Sequence, residues 1–263
     1  MENNGVTIVT STIRPEYTDE IFHNYARQKW SAKELILIIN NNNISMDLFK
    51  EKAQQFDHVR IYRVDQSKNL GACLNFAVAR ANFNYIAKFD DDDYYSPDYI
   101  HEAMLLFTSS NADVIGKRSC YFYFPHRSVL LLRKTSVKPY GQCSRIAGAT
   151  IMFHKRVFQK VSFNPRVVQG SDALFIQACL RKGYSIYNTS PYNFVAFRRP
   201  NRNSHTWKVT DTQLLSSKNA SIIHTTEFKE FIDKSLDQLP FPDKIKRLAG
   251  LISQKTGSQS NWY

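Results

Sequence analysis

Four adjacent aspartates, Asp90-Asp91-Asp92-Asp93, follow directly on the apolar run Tyr85 to Phe89. Like charges this close repel, so the run is costly unless something neutralises it. A hard divalent cation does this, and carboxylate oxygens are its natural ligands. In an extended segment Asp90 and Asp92 project to one side and Asp91 and Asp93 to the other, so one pair can face a metal-bound diphosphate. The same run also suits a solvated acidic turn, with Asp93 capping a helix that begins near Ser96. A second carboxylate, Asp172, sits in Gly170-Ser171-Asp172-Ala173-Leu174-Phe175 at the head of an apolar helical stretch. There it can cap the helix or accept a proton. His205, in the polar stretch from Asn201, can ligate a metal, contact a diphosphate or sit on a surface loop. Arg198, Arg199 and Arg202 can pair bidentately with phosphate or form a solvated basic face.

The elements that must position these groups alternate. Val6 to Thr10 is a short β-branched run and reads as a strand. Asp19 to Trp30 carries apolar residues at helical spacing. Glu34 to Ile39 is a continuous apolar run of the kind buried in a parallel sheet, stopped by Asn40 to Asn43. A helix over Met46 to Phe56, a strand over Val59 to Val64, a helix over Leu70 to Ala81 and a strand over Tyr85 to Phe89 follow. Pro97 then stands in the first turn of a helix ending near Phe107. This alternation predicts a parallel, doubly wound sheet, which binds ligands at the carboxyl ends of its strands. The polar clusters Thr10 to Arg14, Asn40 to Asn43, Asp65 to Asn69 and Asp90 to Asp93 fall at those ends. The second half is less regular: strands over Tyr121 to Arg133 and Ile146 to Phe153, a helix over Asp172 to Arg181 closed by Gly183, strand-like Tyr184 to Tyr187 and Phe194 to Phe197, then a polar helical tail after Thr210.

Composition bounds the rest. The chain has 263 residues, enough for one large α/β domain or a domain with a helical tail, and 43% hydrophobic against 22% charged residues marks it as folded. Cys73, Cys120, Cys143 and Cys179 show no CxxC spacing, which argues against a zinc or redox motif, and they read as reduced, buried thiols. No stretch approaches the ~18–20 apolar residues that cross a bilayer, and Met1 to Gly5 lacks the features of a secretory signal. The expectation is a cytoplasmic protein. The formal net charge of +12 favours anionic partners: nucleotide diphosphates, anionic lipid or nucleic acid. It thickens at Arg198, Arg199, Arg202 and Lys208, and again at Lys244, Lys246 and Arg247.

The order of these features resembles the family 2 glycosyltransferases of the GT-A fold. The pieces are Thr10-Ser11-Thr12 with Arg14; Asn40-Asn41; Asn69-Leu70-Gly71 with Asn75; the D-x-D-D element Asp90–Asp93 with Ser96-Pro97-Asp98; Ala147-Gly148-Ala149; Gly170 to Phe175; and Arg198 to His205. The resemblance covers roughly residues 5 to 210 and implies a Rossmann-like, mostly parallel central sheet flanked by helices. It divides residues 1–210 into a nucleotide-binding half, 1–110, and an acceptor-binding half, 111–210, with 211–263 as a helical C-terminal extension.

It also implies roles. Thr10, Ser11, Thr12, Arg14, Asn40, Asn41, Lys68 and Asn69 would hold base and ribose, with Asp91 and Arg202 also on the nucleotide. Asp92, with Asp90 and His205, would hold Mn²⁺ or Mg²⁺ against the diphosphate. Asp172 would be the general base of a single, inverting displacement that moves a sugar to a hydroxyl acceptor, as in bacterial surface or spore polysaccharide synthesis. Family members commonly have Asp-Asp where this chain has Asn40-Asn41. An amide both accepts and donates, so the donor base, UDP by default, extends to CDP or dTDP. Ser171 stands where an acidic residue is frequent, leaving one carboxylate there.

Two other classes compete. A nucleotidyltransferase also uses paired carboxylates and a metal, but no Gly-rich phosphate loop follows the first strand. A non-catalytic nucleotide or nucleic-acid binder would use the positive charge, but the aspartate run repels phosphate and no helix-turn-helix or RNP-like motif is present. The basic tail, with Phe228, Phe231, Ile232 and Leu236, can dock on the domain, pair with a second subunit, or lie peripherally on the inner face of a membrane.

Overall fold

The structure is a computed structural model that describes residues 4–200 and 209–257. The first half follows the expected alternation. Strands β1 (Val6–Thr12), β2 (Lys33–Ile39), β3 (Val59–Arg63) and β4 (Tyr85–Lys88) are joined by helices α1 (Thr18–Ala26), α2 (Asp47–Ala53) and α3 (Leu70–Val78). They pair in parallel in the order β4-β1-β2-β3. Strand β2 shows why this sheet is central. Leu35, Leu37 and Ile39 pack into one apolar cluster while Ile36 and Ile38 pack into another, so both faces of the sheet are covered. A continuous apolar run is what two buried faces require.

The second half contains β5 (Tyr94–Tyr95), α4 (Tyr99–Ser109), β6 (Val114–Lys117), β7 (Cys120–Phe124), β8 (Val129–Arg133), β9 (Met152–His154), α5 (Ser171–Arg181), β10 (Ile186–Thr189) and β11 (Phe194–Phe197). Strand β9 runs antiparallel between β4 and β6, and β10 closes that side, giving a seven-stranded sheet β10-β6-β9-β4-β1-β2-β3. A five-stranded sheet, β12-β8-β7-β11-β5, lies beside it, with β12 at Ala220–His224.

Several expectations are corrected. The predicted strand over Tyr121 to Arg133 is a hairpin: β7 and β8 pair antiparallel around a 3₁₀ turn at Pro125–Arg127, with Ser128 left-handed at φ 49°. The strand predicted from Ile146 begins as a 3₁₀ turn at Gly148–Thr150 and becomes extended only at β9. Helix α4 starts at Tyr99, so Pro97 precedes it rather than opening it, and Asp93 does not cap it. The very short β5 and the strand β6 carry no periodic signal long enough to read.

The segment after 210 is not helical throughout. Helix α6 (Asp211–Leu215), β12, helix α7 (Phe228–Ile232) and helix α8 (Asp243–Gly257) alternate there. β12 completes the smaller sheet against β8, and Leu214, Ile232, Leu239, Phe241 and Ile245 are buried. The basic helix α8 docks on the domain: Ile245 is buried and Lys244 Nζ donates to the Ser109 carbonyl at the end of α4, 2.6 Å away.

Candidate active site

The chain leaves β1 toward β2 on one side and returns to β4 on the other, so the crevice opens between the carboxyl ends of β1 and β4. Open α/β sheets bind ligands at such a switch point. The acidic residues lie there, in a turn directly after β4 and ahead of β5. Because the segment is a turn and not a strand, the aspartates do not alternate between two sides. Each has its own partner.

Asp91 is buried and fastens the turn to β1. Its Oδ2 accepts from Thr12 Oγ1 at 2.6 Å and from Arg14 Nε at 3.1 Å, and its Oδ1 accepts from the other arm of the same guanidinium. Asp91 and Arg14, both assigned by resemblance to the nucleotide, pair with each other through Arg14 Nε and Nη2, and Arg14 Nη1 is left for Asp92. Asp92 faces two guanidinium groups, with Arg14 Nη1 at 3.1 Å and Arg199 Nη1 at 2.7 Å. Arg199 also donates to Tyr17 Oη at 3.2 Å, and Arg14 stacks over the Tyr17 ring. Asp93 is buried and accepts the backbone N–H of Phe197 at 3.0 Å, which ties the end of β11 to the turn and delivers Arg199 two residues later. Arg198, expected as a phosphate ligand, is buried instead against Asp211 and the Val209 carbonyl.

Asp90 points the other way. Its backbone N–H donates to Tyr95 Oη, which in turn donates to the Ala149 carbonyl. Its carboxylate accepts from Lys88 Nζ at 2.5 Å, and the same ammonium lies 3.2 Å from Asp172 Oδ2. Asp172 stands in the first turn of α5, whose N-cap is Gly170 in the left-handed conformation at φ 77°. Asp172 therefore makes no capping bond, and its Oδ1 is buried without a hydrogen-bond partner among the described residues.

The remaining predicted residues divide. Asn40 is buried at the end of β2, and its Nδ2 donates to the Val64 and Asp65 carbonyls at 3.3 and 2.8 Å. Both neighbours only accept, so the amide orientation is forced and Oδ1 is the atom Asn40 can offer to a ligand. Asn41 bridges to the Ile13 carbonyl at 3.4 Å. Thr10 is buried within β1, Ser11 is half-buried beside Cys73, and Lys68 is exposed. Asn69 is engaged within the protein: its Oδ1 caps α3 through Ala72 N–H and its Nδ2 donates to the Val167 carbonyl at 2.7 Å. Two residues on, a Cβ on Gly71 would lie 2.4 Å from the Asn164 carbonyl oxygen, so only glycine lets α3 approach that loop. The Asn69-Leu70-Gly71 motif thus seats the loop that leads to Asp172. Arg202 and His205 lie outside the described residues.

Crowding shows in the proton affinities. Burial, and then the neighbouring Asp91 and Asp90 charges, push the Asp92 carboxyl up to about 7, against the opposing pull of Arg14. Asp93 is raised well above the ordinary carboxyl range by burial and by Asp92 and Asp90. Burial also raises Asp172, with Lys88 pulling it down. Fully ionised, Asp90, Asp91, Asp92, Asp93 and Asp172 carry five negative charges against three positive ones on Arg14, Lys88 and Arg199, an excess of two. Protonation or one divalent cation relieves that excess; among the described residues no three acidic, His or Cys side chains are gathered to hold a metal, and the carboxylate oxygens are the donor type that Mg²⁺ or Mn²⁺ takes.

Lys88 and the inward turn of Arg198 were not read from the sequence, and Gly148 was read only as part of the Ala147-Gly148-Ala149 motif. Lys88 left a signal: a lysine within an apolar strand that has both faces covered must find a carboxylate.

A Rossmann-like sheet with an acidic turn at its switch point and a lone carboxylate opposite defines a GT-A glycosyltransferase. Residues 7–164 match the glycosyl transferase family 2, and the chain belongs to that family. Among solved structures it is similar to residues 1–349 of S. aureus TarS, whose complex with UDP-GlcNAc aligns at a TM-score of 0.58 and 14% identity over 75% of this chain and 59% of that one. It is also similar to the mannosyltransferase PcManGT from Pyrobaculum calidifontis in complex with GDP-Man and Mn²⁺, at a TM-score of 0.56 and 14% identity over 76% of this chain and 58% of that one. The chain spans about three fifths of the length of these structures. No curated protein matches it significantly.

Proposed function

We propose that this glycosyltransferase is metal-dependent and inverting, and that it takes its sugar from a uridine-type nucleotide diphosphate for a hydroxyl acceptor. The observation that carries the reading is the pairing of the acidic turn at the β1/β4 crevice with Asp172, whose Oδ1 has no hydrogen-bond partner among the described residues. The Asp172 carboxylate takes the proton of the acceptor hydroxyl. The freed oxygen attacks the anomeric carbon from the face opposite the diphosphate, the bond from that carbon to the diphosphate oxygen breaks, and the configuration inverts. Asp92 and Asp90, with His205 as a further candidate ligand, would hold Mn²⁺ or Mg²⁺, which supplies charge neutralisation to the departing diphosphate. Arg14 and Arg199, now on Asp92, are placed to turn to phosphate oxygens when a cation takes their carboxylate.

The choice of base follows from Asn40. Its fixed Oδ1 accepts, so it complements the N3–H of uracil or thymine and opposes the N3 lone pair of cytosine. UDP is the first donor base and dTDP the second, with CDP disfavoured. That one neighbour is a complex with UDP-GlcNAc supports this order. We place the activity in bacterial surface or spore polysaccharide synthesis, with the basic helix α8 available for peripheral contact with the inner face of a membrane.

The test is turnover: release of nucleoside diphosphate from UDP-, dTDP-, CDP- and GDP-sugars with Mn²⁺. Activity with a UDP-sugar, at least about 10²-fold lower in Asp172→Asn, supports the reading. Undiminished turnover in Asp172→Asn would remove Asp172 from the reaction, and a preference for CDP-sugars would refute the role of Asn40.

A further inference from the structure

Lys88 ends β4 with its side chain turned inward, 2% exposed. Its ammonium has three donors and three oxygens around it, each from a different part of the chain. Asp90 Oδ1 is at 2.5 Å, Asp172 Oδ2 at 3.2 Å and the Gly148 carbonyl at 3.3 Å. Gly148 is part of the same arrangement. A Cβ built on it would lie 2.4 Å from Asp172 Oδ2, so the carboxylate reaches the ammonium only because position 148 has no side chain. The result is an asymmetric carboxylate, with Oδ2 pinned and Oδ1 without a hydrogen-bond partner among the described residues.

We propose that Lys88 is a positioning residue for the proton transfer. It clamps Asp172 through Oδ2 and so holds the carboxylate in one orientation for the acceptor hydroxyl, and the same ammonium keeps it apart from Asp90. The proposal rests on Asp172 as proton acceptor. A carboxylate free to rotate would present either oxygen over a range of angles, and reacting groups displaced by about 1 Å can lose about 10²-fold in rate. The clamp acts on the chemical step and leaves the donor's base and ribose contacts alone.

The experiment is a double-mutant cycle at saturating donor and acceptor with Lys88→Met, Asp172→Asn and the pair, together with Gly148→Ala. The alanine removes no charge but must push the Asp172 carboxylate off the ammonium, so it tests the same contact if Lys88→Met folds poorly. We expect kcat to fall at least about 10-fold in Lys88→Met and in Gly148→Ala, with the acceptor KM near wild type, and the pair to be no slower than Asp172→Asn alone. Wild-type kcat in Gly148→Ala or Lys88→Met while Asp172→Asn is impaired would overturn the role of Lys88. So would a multiplicative loss in the pair, the mark of a purely structural lysine. Unimpaired Asp172→Asn would instead overturn the proton-acceptor assignment, and the clamp's purpose with it.

Discussion

Asp92 holds a strained charge, largely covered beside two other carboxylates and relieved by Arg14 and Arg199. Its folded-state pKa, about 7, lies above the ordinary carboxyl value. A carboxyl raised on folding contributes stability that is present below its unfolded pKa and is lost as pH rises through its folded pKa. The stability linked to Asp92 therefore declines from about pH 4 to pH 7 in the metal-free protein. Asp92→Asn carries no charge at any of these pH values. Its Tm relative to wild type should be higher at pH 8 than at pH 5.5, and Mn²⁺ should narrow that difference by stabilising only the wild type. A Tm difference that is the same at both pH values would show that Asp92 is not strained. At this scale the acidic run and Asp172 were legible because four like charges in sequence are a local fact. The role of Asn40 was half-legible: its amide was visible, but which end faces out depends on two carbonyls 24 and 25 residues away.

Among elements, the join between α4 and the edge of the large sheet carries a second buried charge pair. Lys117 on β6 lies 3.2 Å from Glu102 on α4, and both are essentially unexposed. Every group around the pair is engaged: Lys117 also donates to Thr189 Oγ1 and the Ser190 carbonyl, and Glu102 Oε1 accepts from Tyr140 Oη and Ser190 N–H. Breaking a buried pair from one side leaves an uncompensated charge, so Glu102→Ala should cost about 3–5 kcal/mol in denaturant unfolding. A cost under about 1 kcal/mol, as for a surface pair, would contradict this network. The periodicities of α1 to α4 and β1 to β4 were readable because each run is long and its apolar period unbroken. The β7–β8 hairpin read as one strand because the 3₁₀ turn at Pro125–Arg127 interrupts the apolar run for only a few residues. β5 is two residues long and owes its form to pairing with Phe194 and Val195.

Over the whole molecule, the tail from 211 was expected as a helical extension that can dock on the domain, and Leu214, Ile232, Leu239, Phe241 and Ile245 are buried against the body formed by the first 200 residues. β12 adds the last strand of the smaller sheet, and Leu239, Phe241 and Ile245 join the main core. Local sequence cannot show this, because β12 has no alternation of its own: Ala220 and Ile223 pack against core clusters while Ile222 is exposed. A chain ending at residue 210 should therefore lose its cooperative thermal transition; an intact transition would make the tail a dispensable addition. The central claim is that the acidic turn receives a metal-bound nucleoside diphosphate. Its most direct test is the thermal stability of wild type and Asp92→Ala with UDP, with and without Mn²⁺. Ligand at ~100 times its Kd stabilises by about 2.7 kcal/mol, a shift of about 5–10 °C for a protein of this size. The account predicts that shift in wild type only when UDP and Mn²⁺ are both present, and none in Asp92→Ala. An equal shift without Mn²⁺, or in the variant, would contradict it.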